Sequence, residues 1–394
     1  MSLNAPSLHD LPVPDAEART HSRQLTELIH AEIAAGDGAI PFHRFMALAL
    51  YAPGLGYYSG GAHKFGAGGD FVTAPELSPL FSRCLARQCR EVLGRLGGGD
   101  ILELGAGSGV MAADMLRELN TDPPNRYLIL EVSGELRERQ QATLAARVPG
   151  LLDRVQWLDA LPGPGFRGVV VGNEVLDALP VDRFRMTEQG PVPRQVAWEE
   201  GFVWREGPPD PQLTAAVASL QEHLAYPLPV GYESELNLRL PAWIASLAEI
   251  LKAGALLFID YGYPRREYYH PQRAAGTLLC HYRHRVHDDP LLLPGLQDIT
   301  ASVDFTAVAD AGLAAGLAVA GYTSQSYFLF GGDLEALLAE VDPADAPRYL
   351  ELTRQVKLLT LPGEMGERCK AIALTRGIDG PLRGFGVFDE RGRL

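Results

Sequence analysis

Leu25, Leu28, Ile29 and Ile33 recur three and four residues apart and run into Gly36, the pattern of an amphipathic helix stopped by a glycine. Residues 42–50 predict a second short helix and residues 76–93 a third. Beyond them the rhythm changes, and short apolar runs at 100–104, 127–131, 155–158, 168–171 and 255–260 read as strands. Helical patterns fit between them at 110–119, 135–146 and 242–251, the last closed by Gly254 as a C-terminal cap. Runs at 318–323 and 368–375 supply two more strands, with helices at 305–317 and 334–340. Such βαβ alternation implies an α/β fold in which a doubly wound, mostly parallel sheet is covered by helices.

Two stretches break the rhythm. RFRM, RQVAW and FVWRE, separated by turn residues, read as β-ribbons within an insertion at 182–232. Residues 57–69 carry five glycines around Lys64 and Phe65, a composition that suits either a lid over a ligand or a plain surface loop. The expected organisation is a disordered tail at 1–20, a helical and glycine-rich cap region at 21–98, and the α/β domain at 99–181 and 233–376. The insertion at 182–232 interrupts that domain, and a C-terminal tail follows at 377–394.

Composition narrows the class. At 394 residues, 46% hydrophobic and 21% charged, with a mean hydropathy of -0.03, the chain reads as soluble and globular rather than disordered or membrane-embedded. A net charge of -14 argues against non-specific nucleic-acid binding, which needs a basic surface. Cys84, Cys89, Cys280 and Cys369 form no CxxC pair, so reduced thiols in a cytoplasmic compartment are expected. Asp10, Asp15 and Glu17 are wrong for a transit peptide, no apolar signal core precedes them, and no run is long enough for a membrane span. Self-association into a homodimer is compatible with this composition.

The strongest chemical signal is ILEL running into GAGSG and then into a helix. Gly105, Gly107 and Gly109, with Ala106 between the first two, let the backbone turn sharply and approach a ligand at a helix N-terminus. A dinucleotide fingerprint would need glycine at 110, where Val110 stands; GxGxG preceded by Glu103 is instead the spacing of S-adenosylmethionine-dependent methyltransferases. Glu131 ends the second strand, where a carboxylate can accept from both ribose hydroxyls, and Asp159 with Ala160 ends the third, where adenine would be met. Asn173, Glu174 and Asp177 follow the fourth strand at the ligand-binding edge, the two acids one helical turn apart if that segment is helical. Asp260 and Tyr261 follow the fifth. Cys280, His281, His284, His287, Asp288 and Asp289 cluster, but their spacing fits no metal pattern and Arg283 and Arg285 would repel a cation. No metal is expected, and His281 reads as part of a polar cleft wall.

The chain resembles the MidA-like family, the mitochondrial complex I assembly-factor methyltransferases and their bacterial relatives. The resemblance is carried by RFMALALYAPGLGYY, KFGAGGDFVTAPELSPLF, ILELGAGSG, ILEVSGELRERQ, GNEVLDALPVDRF, FIDYGYPRREYYHP, HYRHRVHDDPLLLPGLQDITASVDF and LPGEMGERCKAIAL, which span most of residues 41–375. Pro79 and Ser82-Arg83 depart from the family pattern, where Gln and Gly-Glu are expected. The resemblance implies a seven-stranded, Rossmann-like class I methyltransferase sheet with S-adenosylmethionine as cofactor and, for the mitochondrial members, symmetric dimethylation of a protein arginine. By position, Gly105, Gly107, Gly109, Glu131 and Asn173 would contact cofactor, while Asp70, Thr73, Pro75 and Glu76 would close over the site.

An arginine acceptor keeps its charge, with a pKa above ~12, so its site should hold carboxylates that grip the guanidinium fork. Glu174 and Asp177 are the first choice for that grip, followed by Glu76 and Asp70, on an arginine-bearing partner protein. A small-molecule O- or N-methyltransferase, and an assembly chaperone that binds cofactor without turnover, remain as alternative readings.

Overall fold

The computed structural model describes residues 11–60, 73–342 and 344–394, which divide into two compact units. The larger holds the described residues from Thr73 to Leu176 with Pro241–Pro264 and Val303–Leu394. Its strands are β1 (Asp100–Leu104), β2 (Tyr127–Leu130), β3 (Val155–Leu158), β4 (Phe166–Asn173), β5 (Leu251–Tyr263), β6 (Val303–Asp304), β7 (Ala318–Ser324) and β8 (Cys369–Arg376). Helices α1 (Ala74–Leu77), α2 (Pro79–Leu96), α3 (Val110–Glu118), α4 (Gly134–Arg147), α5 (Leu240–Ile250) and α6 (Phe305–Ala314) accompany them.

The strands lie in the order β7-β8-β5-β4-β1-β2-β3, with β6 paired to β5. β8 is antiparallel to β7 and β5, and the other pairings are parallel. The seven expected strands form one sheet, and the two-residue β6 is an addition the pattern did not predict. Val169, Val170 and Val171 are wholly buried, as are Leu256 and Phe258, which is why these strands read as unbroken apolar runs rather than alternating ones.

From β1 the chain winds outward through β2 and β3, then returns to place β4 on the opposite side of β1. The strand order therefore reverses between β1 and β4, and in an open α/β sheet ligands bind at the carboxyl ends of the strands at such a point.

At the other end of the strands the sheet is held by a close approach. Asp100, Gly168 and Gly254 are neighbours across β1, β4 and β5. A Cβ on Gly168 would lie 1.8 Å from the Asp100 carbonyl oxygen, and one on Gly254 would lie 1.8 Å from that of Gly168. Both glycines have positive φ, 147° and 137°. Gly254 is thus a strand residue that lets β4 and β5 close up, not the expected helix cap; α5 ends earlier, at Ile250.

Other differences have local causes. The helix expected at 76–93 is broken at Ser78, whose extended backbone starts α2 and whose hydroxyl accepts from the Leu80 N–H, with Pro79 in the first turn. Residues 16–20, expected in a disordered tail, open the helix Ala16–Ala35, because the Asp15 carboxylate caps it through the Ala18 N–H. The segment 377–394 is not a free tail, since Leu382 and Phe385 are buried in the core of the larger unit.

The second unit holds the described residues up to 60 with Asp177–Leu240 and Arg265–Ser302. The ribbons expected at 182–232 form as Asp182–Thr187, Gly190–Trp198 and Phe202–Glu206. They do not stand alone: Ala39–Pro41 and Glu233–Leu236 complete an antiparallel five-stranded sheet with them. Leu25, Ile29, Phe45, Met46, Val196 and Ile299 are buried together as part of its core.

Gly168→Ala should be among the most damaging single-methyl changes in the chain, because the added carbon has no space and the partner atom is backbone. The expected loss is at least ~3 kcal/mol in denaturant unfolding. A variant that unfolds at the wild-type midpoint would refute the close approach.

Candidate active site

The loop from β1 into α3 is a run of left-handed turns, with φ of 64° at Gly105, 52° at Gly107 and 82° at Gly109. Alternation of left- and right-handed residues points successive N–H groups into one concavity, and the α3 N-terminus adds its own free donors. Ala106 is buried and its carbonyl accepts from the Gly109 N–H at 2.8 Å, closing the turn. Ser108, not singled out in the sequence, donates its hydroxyl to the Glu76 carboxylate, so α1 is tied to the glycine loop.

Glu103, at the root of the loop, is only 1% exposed. The Tyr127 hydroxyl donates to its Oε2 at 2.6 Å, and its Oε1 has no hydrogen-bond partner among the described residues. Burial pushes its pKa up to about 7, the Tyr127 bond opposes that shift and the nearby Glu131 charge adds to it.

Glu131 follows β2. Its Oε1 accepts from the Ser133 N–H at 2.9 Å and its Oε2 from the Gln140 amide at 3.0 Å. Burial raises its pKa, and these donors work against the shift. Each carboxylate oxygen keeps acceptor capacity beyond one bond. Val132, the next residue, is 77% exposed, an apolar surface beside the acid that the sequence reading passed over. Asp159, after β3, is exposed and ion-paired to Arg137 at 2.6 Å, while Arg137 also donates to the carbonyls of Glu131 and Leu158; Ala160 beside it is exposed.

After β4, Glu174 stands in left-handed backbone at φ 51°, a conformation costing a non-glycine residue about 1–3 kcal/mol. Asn173 donates its amide to Glu174 at 3.2 Å, and its own Oδ1 is buried without a hydrogen-bond partner among the described residues. The strained turn is held by Asp260. That residue is 1% exposed, and its Oδ2 accepts from the N–H groups of Val175 at 3.0 Å and Leu176 at 2.8 Å. Asp260 was expected at the end of the fifth strand, with Tyr261 just beyond it, as cleft residues. β5 instead runs on to Tyr263, so Asp260 and Tyr261 are strand residues, and Tyr261 packs against the core opposite Cys369.

The remaining expected residues separate. Residues 174–179 form bends and a turn rather than a helix, because Asp260 takes the N–H groups of Val175 and Leu176, so Glu174 and Asp177 do not share a helical face. The boundary between the units falls between Leu176 and Asp177, and Asp177 is buried, with its carbonyl accepting from the Ala301 N–H at 2.9 Å. Thr73 is the N-cap residue of α1 and Pro75 is buried in its first turn. Asp70 and most of the glycine-rich stretch lie outside the described residues. His281 is in the strand Leu279–Tyr282 of the smaller unit, where burial lowers its pKa with a further contribution from His287. Among the described residues no group of three or more His, Cys, Asp or Glu is placed to hold a metal ion, and no helix is long and apolar enough to cross a membrane.

The raised pKa of Glu103 has a thermodynamic consequence. The folded state favours the protonated acid, so the stability it contributes is complete below the unfolded value near 4.5 and is lost as pH rises through about 7. Glu103→Gln keeps an acceptor for Tyr127 without the charge. Its free energy of unfolding should therefore gain on the wild type's as pH rises from about 5 to about 8, by an amount on the order of 2–3 kcal/mol. A constant difference across that range would show that the carboxylate is not desolvated.

Comparison with known proteins agrees with this geometry. A family model of S-adenosyl-L-methionine-dependent methyltransferases matches residues 84–323. The rat mitochondrial protein arginine methyltransferase NDUFAF7 is 30% identical over 383 residues, 86% of this chain and 81% of the rat protein. The Drosophila melanogaster homologue is 27% identical over 93% of this chain and 88% of its own length. A crystal structure from Burkholderia thailandensis, bound to S-adenosyl-homocysteine, superposes with a TM-score of 0.93 at 46% identity, over 98% of this chain and 100% of that one. The left-handed glycine loop, the buried acids at the ends of β1 and β2 and the orphaned oxygens of Glu103 and Asn173 suit the same cofactor. This chain belongs to the family of S-adenosyl-L-methionine-dependent methyltransferases.

Proposed function

We propose that the acceptor is an arginine on a partner protein, and that Glu174 is the carboxylate that receives its guanidinium. The observation that carries this reading is the strained turn at the carboxyl end of β4, where a buried aspartate is spent on holding Glu174 in left-handed backbone. Strain of that kind persists only when the surroundings over-determine it, and it concentrates at functional positions. The names of the relatives, protein arginine methyltransferases at 27–30% identity, support the same acceptor class.

S-adenosylmethionine supplies an electrophilic methyl group on a sulfonium; as the carbon–nitrogen bond forms, the carbon–sulfur pair stays with the departing thioether S-adenosyl-homocysteine and one proton passes from the nitrogen to solvent. Little covalent help is needed, and the chain contributes alignment and electrostatics. The glycine loop, Glu103, Glu131 and Asn173 would hold the cofactor, with Val132 as apolar contact surface beside Glu131. Ionised acids at the site favour both a cationic cofactor and a cationic acceptor. Glu174 would orient the planar fork by accepting from two of its N–H groups, leaving the third nitrogen for the methyl carbon. Glu76, tied to Ser108, and the buried Asp177 are better suited to holding loops than to gripping an acceptor.

Purified protein incubated with methyl-labelled S-adenosylmethionine and a lysate from cells lacking the gene should label a protein band, with dimethyl-arginine found by mass spectrometry. Label confined to small molecules would assign the alternative acceptor class, and cofactor binding with no transfer at all would assign a chaperone role. Glu174→Gln should lower kcat by roughly 10²-fold while the cofactor dissociation constant stays within about twofold. Undiminished turnover in that variant would remove Glu174 from the acceptor site. Glu131→Ala should weaken cofactor binding by roughly 1–3 kcal/mol in calorimetry, and an unchanged affinity would place the ribose elsewhere.

A further inference from the structure

We infer that Gln140 is a positioning residue for cofactor binding, a single buried amide that fixes the glycine loop and the Glu131 carboxylate relative to each other. Leu136, Gln140 and Leu144 are the buried residues of α4, so a glutamine occupies the middle of an apolar stripe, at 0% exposure. A buried amide left unpaired is costly, and this one has a partner for each of its N–H groups and for its oxygen. Its nitrogen donates to the Gly107 carbonyl at 3.1 Å and to Glu131 Oε2 at 3.0 Å, and its oxygen accepts from the Trp157 indole N–H at 2.9 Å.

The indole settles the orientation of the amide. An indole N–H can only donate, so the glutamine oxygen must face Trp157, and the NH₂ is thereby directed at two acceptors, the Gly107 carbonyl and Glu131. One side chain thus joins the loop after β1, the residue after β2 and a residue of β3. The backbone of α4 takes part as well. A Cβ on Gly109 would lie 3.0 Å from Gln140 Cα, so the third glycine of the loop is required by the approach of this helix as well as by its own φ of 82°.

A filler of the same volume would pack the stripe but would not hold the Gly107 carbonyl or aim Glu131. Gln140→Met keeps the bulk and removes both donors, and it should weaken S-adenosyl-homocysteine binding about tenfold by calorimetry. Gln140→Glu keeps the acceptor for Trp157 but sets a carboxylate against Glu131 and the Gly107 carbonyl, so it should weaken binding further than Met does. Trp157→Phe frees the amide to turn over and should cost about threefold. In a cycle with Glu131→Gln, the double variant with Gln140→Met should lose less than the product of the two single losses, because both remove one interaction.

If Gln140→Met and Trp157→Phe bind with wild-type affinity, the inference is overturned. It is also overturned if Met and Glu weaken binding equally, since packing alone would then account for the residue. Should Gln140→Glu fail to fold, the Met and Phe variants with the cycle decide the matter. The readout is cofactor affinity, so the outcome is independent of whether the acceptor is an arginine.

Discussion

The parallel ladder of β4, β1, β2 and β3 is the constraint on which the cofactor end of the larger unit depends. Leu104 is level with Leu130 on one side and Gly172 on the other, and Leu130 is level with Leu158. The residues that follow therefore emerge at one height, and the ladder continues into them: the Gly105 N–H donates to Leu130 and the Glu131 N–H to Leu158. A slip of one residue would turn every side chain to the other face of the sheet. The close approach of Asp100, Gly168 and Gly254 opposes such a slip, because another residue brought to those positions would drive a Cβ into a backbone carbonyl.

That edge concentrates buried acids, and each is supported differently. Asp260 accepts three backbone N–H groups, including that of Tyr261 at 2.8 Å, and acts as a clamp on the turn bearing Glu174. Glu131 is aimed by a backbone N–H and by Gln140 and keeps acceptor capacity on both oxygens. Glu103 has a single hydroxyl donor and an orphaned oxygen, and its pKa is displaced up to about 7. Desolvated negative charge with few internal donors favours a ligand that brings positive charge of its own, and S-adenosylmethionine carries both a sulfonium and an ammonium group.

The smaller unit follows different rules. Its five-stranded sheet is antiparallel and assembled from three separated stretches of chain, of which the region 182–206 supplies the central ribbon. Short strands such as Ala39–Pro41 and Glu233–Leu236 carry too few residues for an alternation to register, so their partners are settled by assembly rather than by local pattern.

The sequence alone determined the seven main strands, the glycine loop and the cofactor class, because buried parallel strands leave unbroken apolar runs and the loop's left-handed turns require glycines at set spacing. It also marked Glu131 and Asn173 as strand-end residues, since strand ends are local. Only the tertiary structure decided what the polar side chains do. Asp260 looks like a strand-end acid until β5 is seen to continue past it, and Gln140 is one letter in a polar run until its place in the apolar stripe of α4 is noticed. The N–H groups of Val175 and Leu176 that Asp260 holds lie 85 and 84 residues away and the partners of Gln140 range from 9 to 33, so each role rests on contacts that exist only once the strands have been brought to one edge.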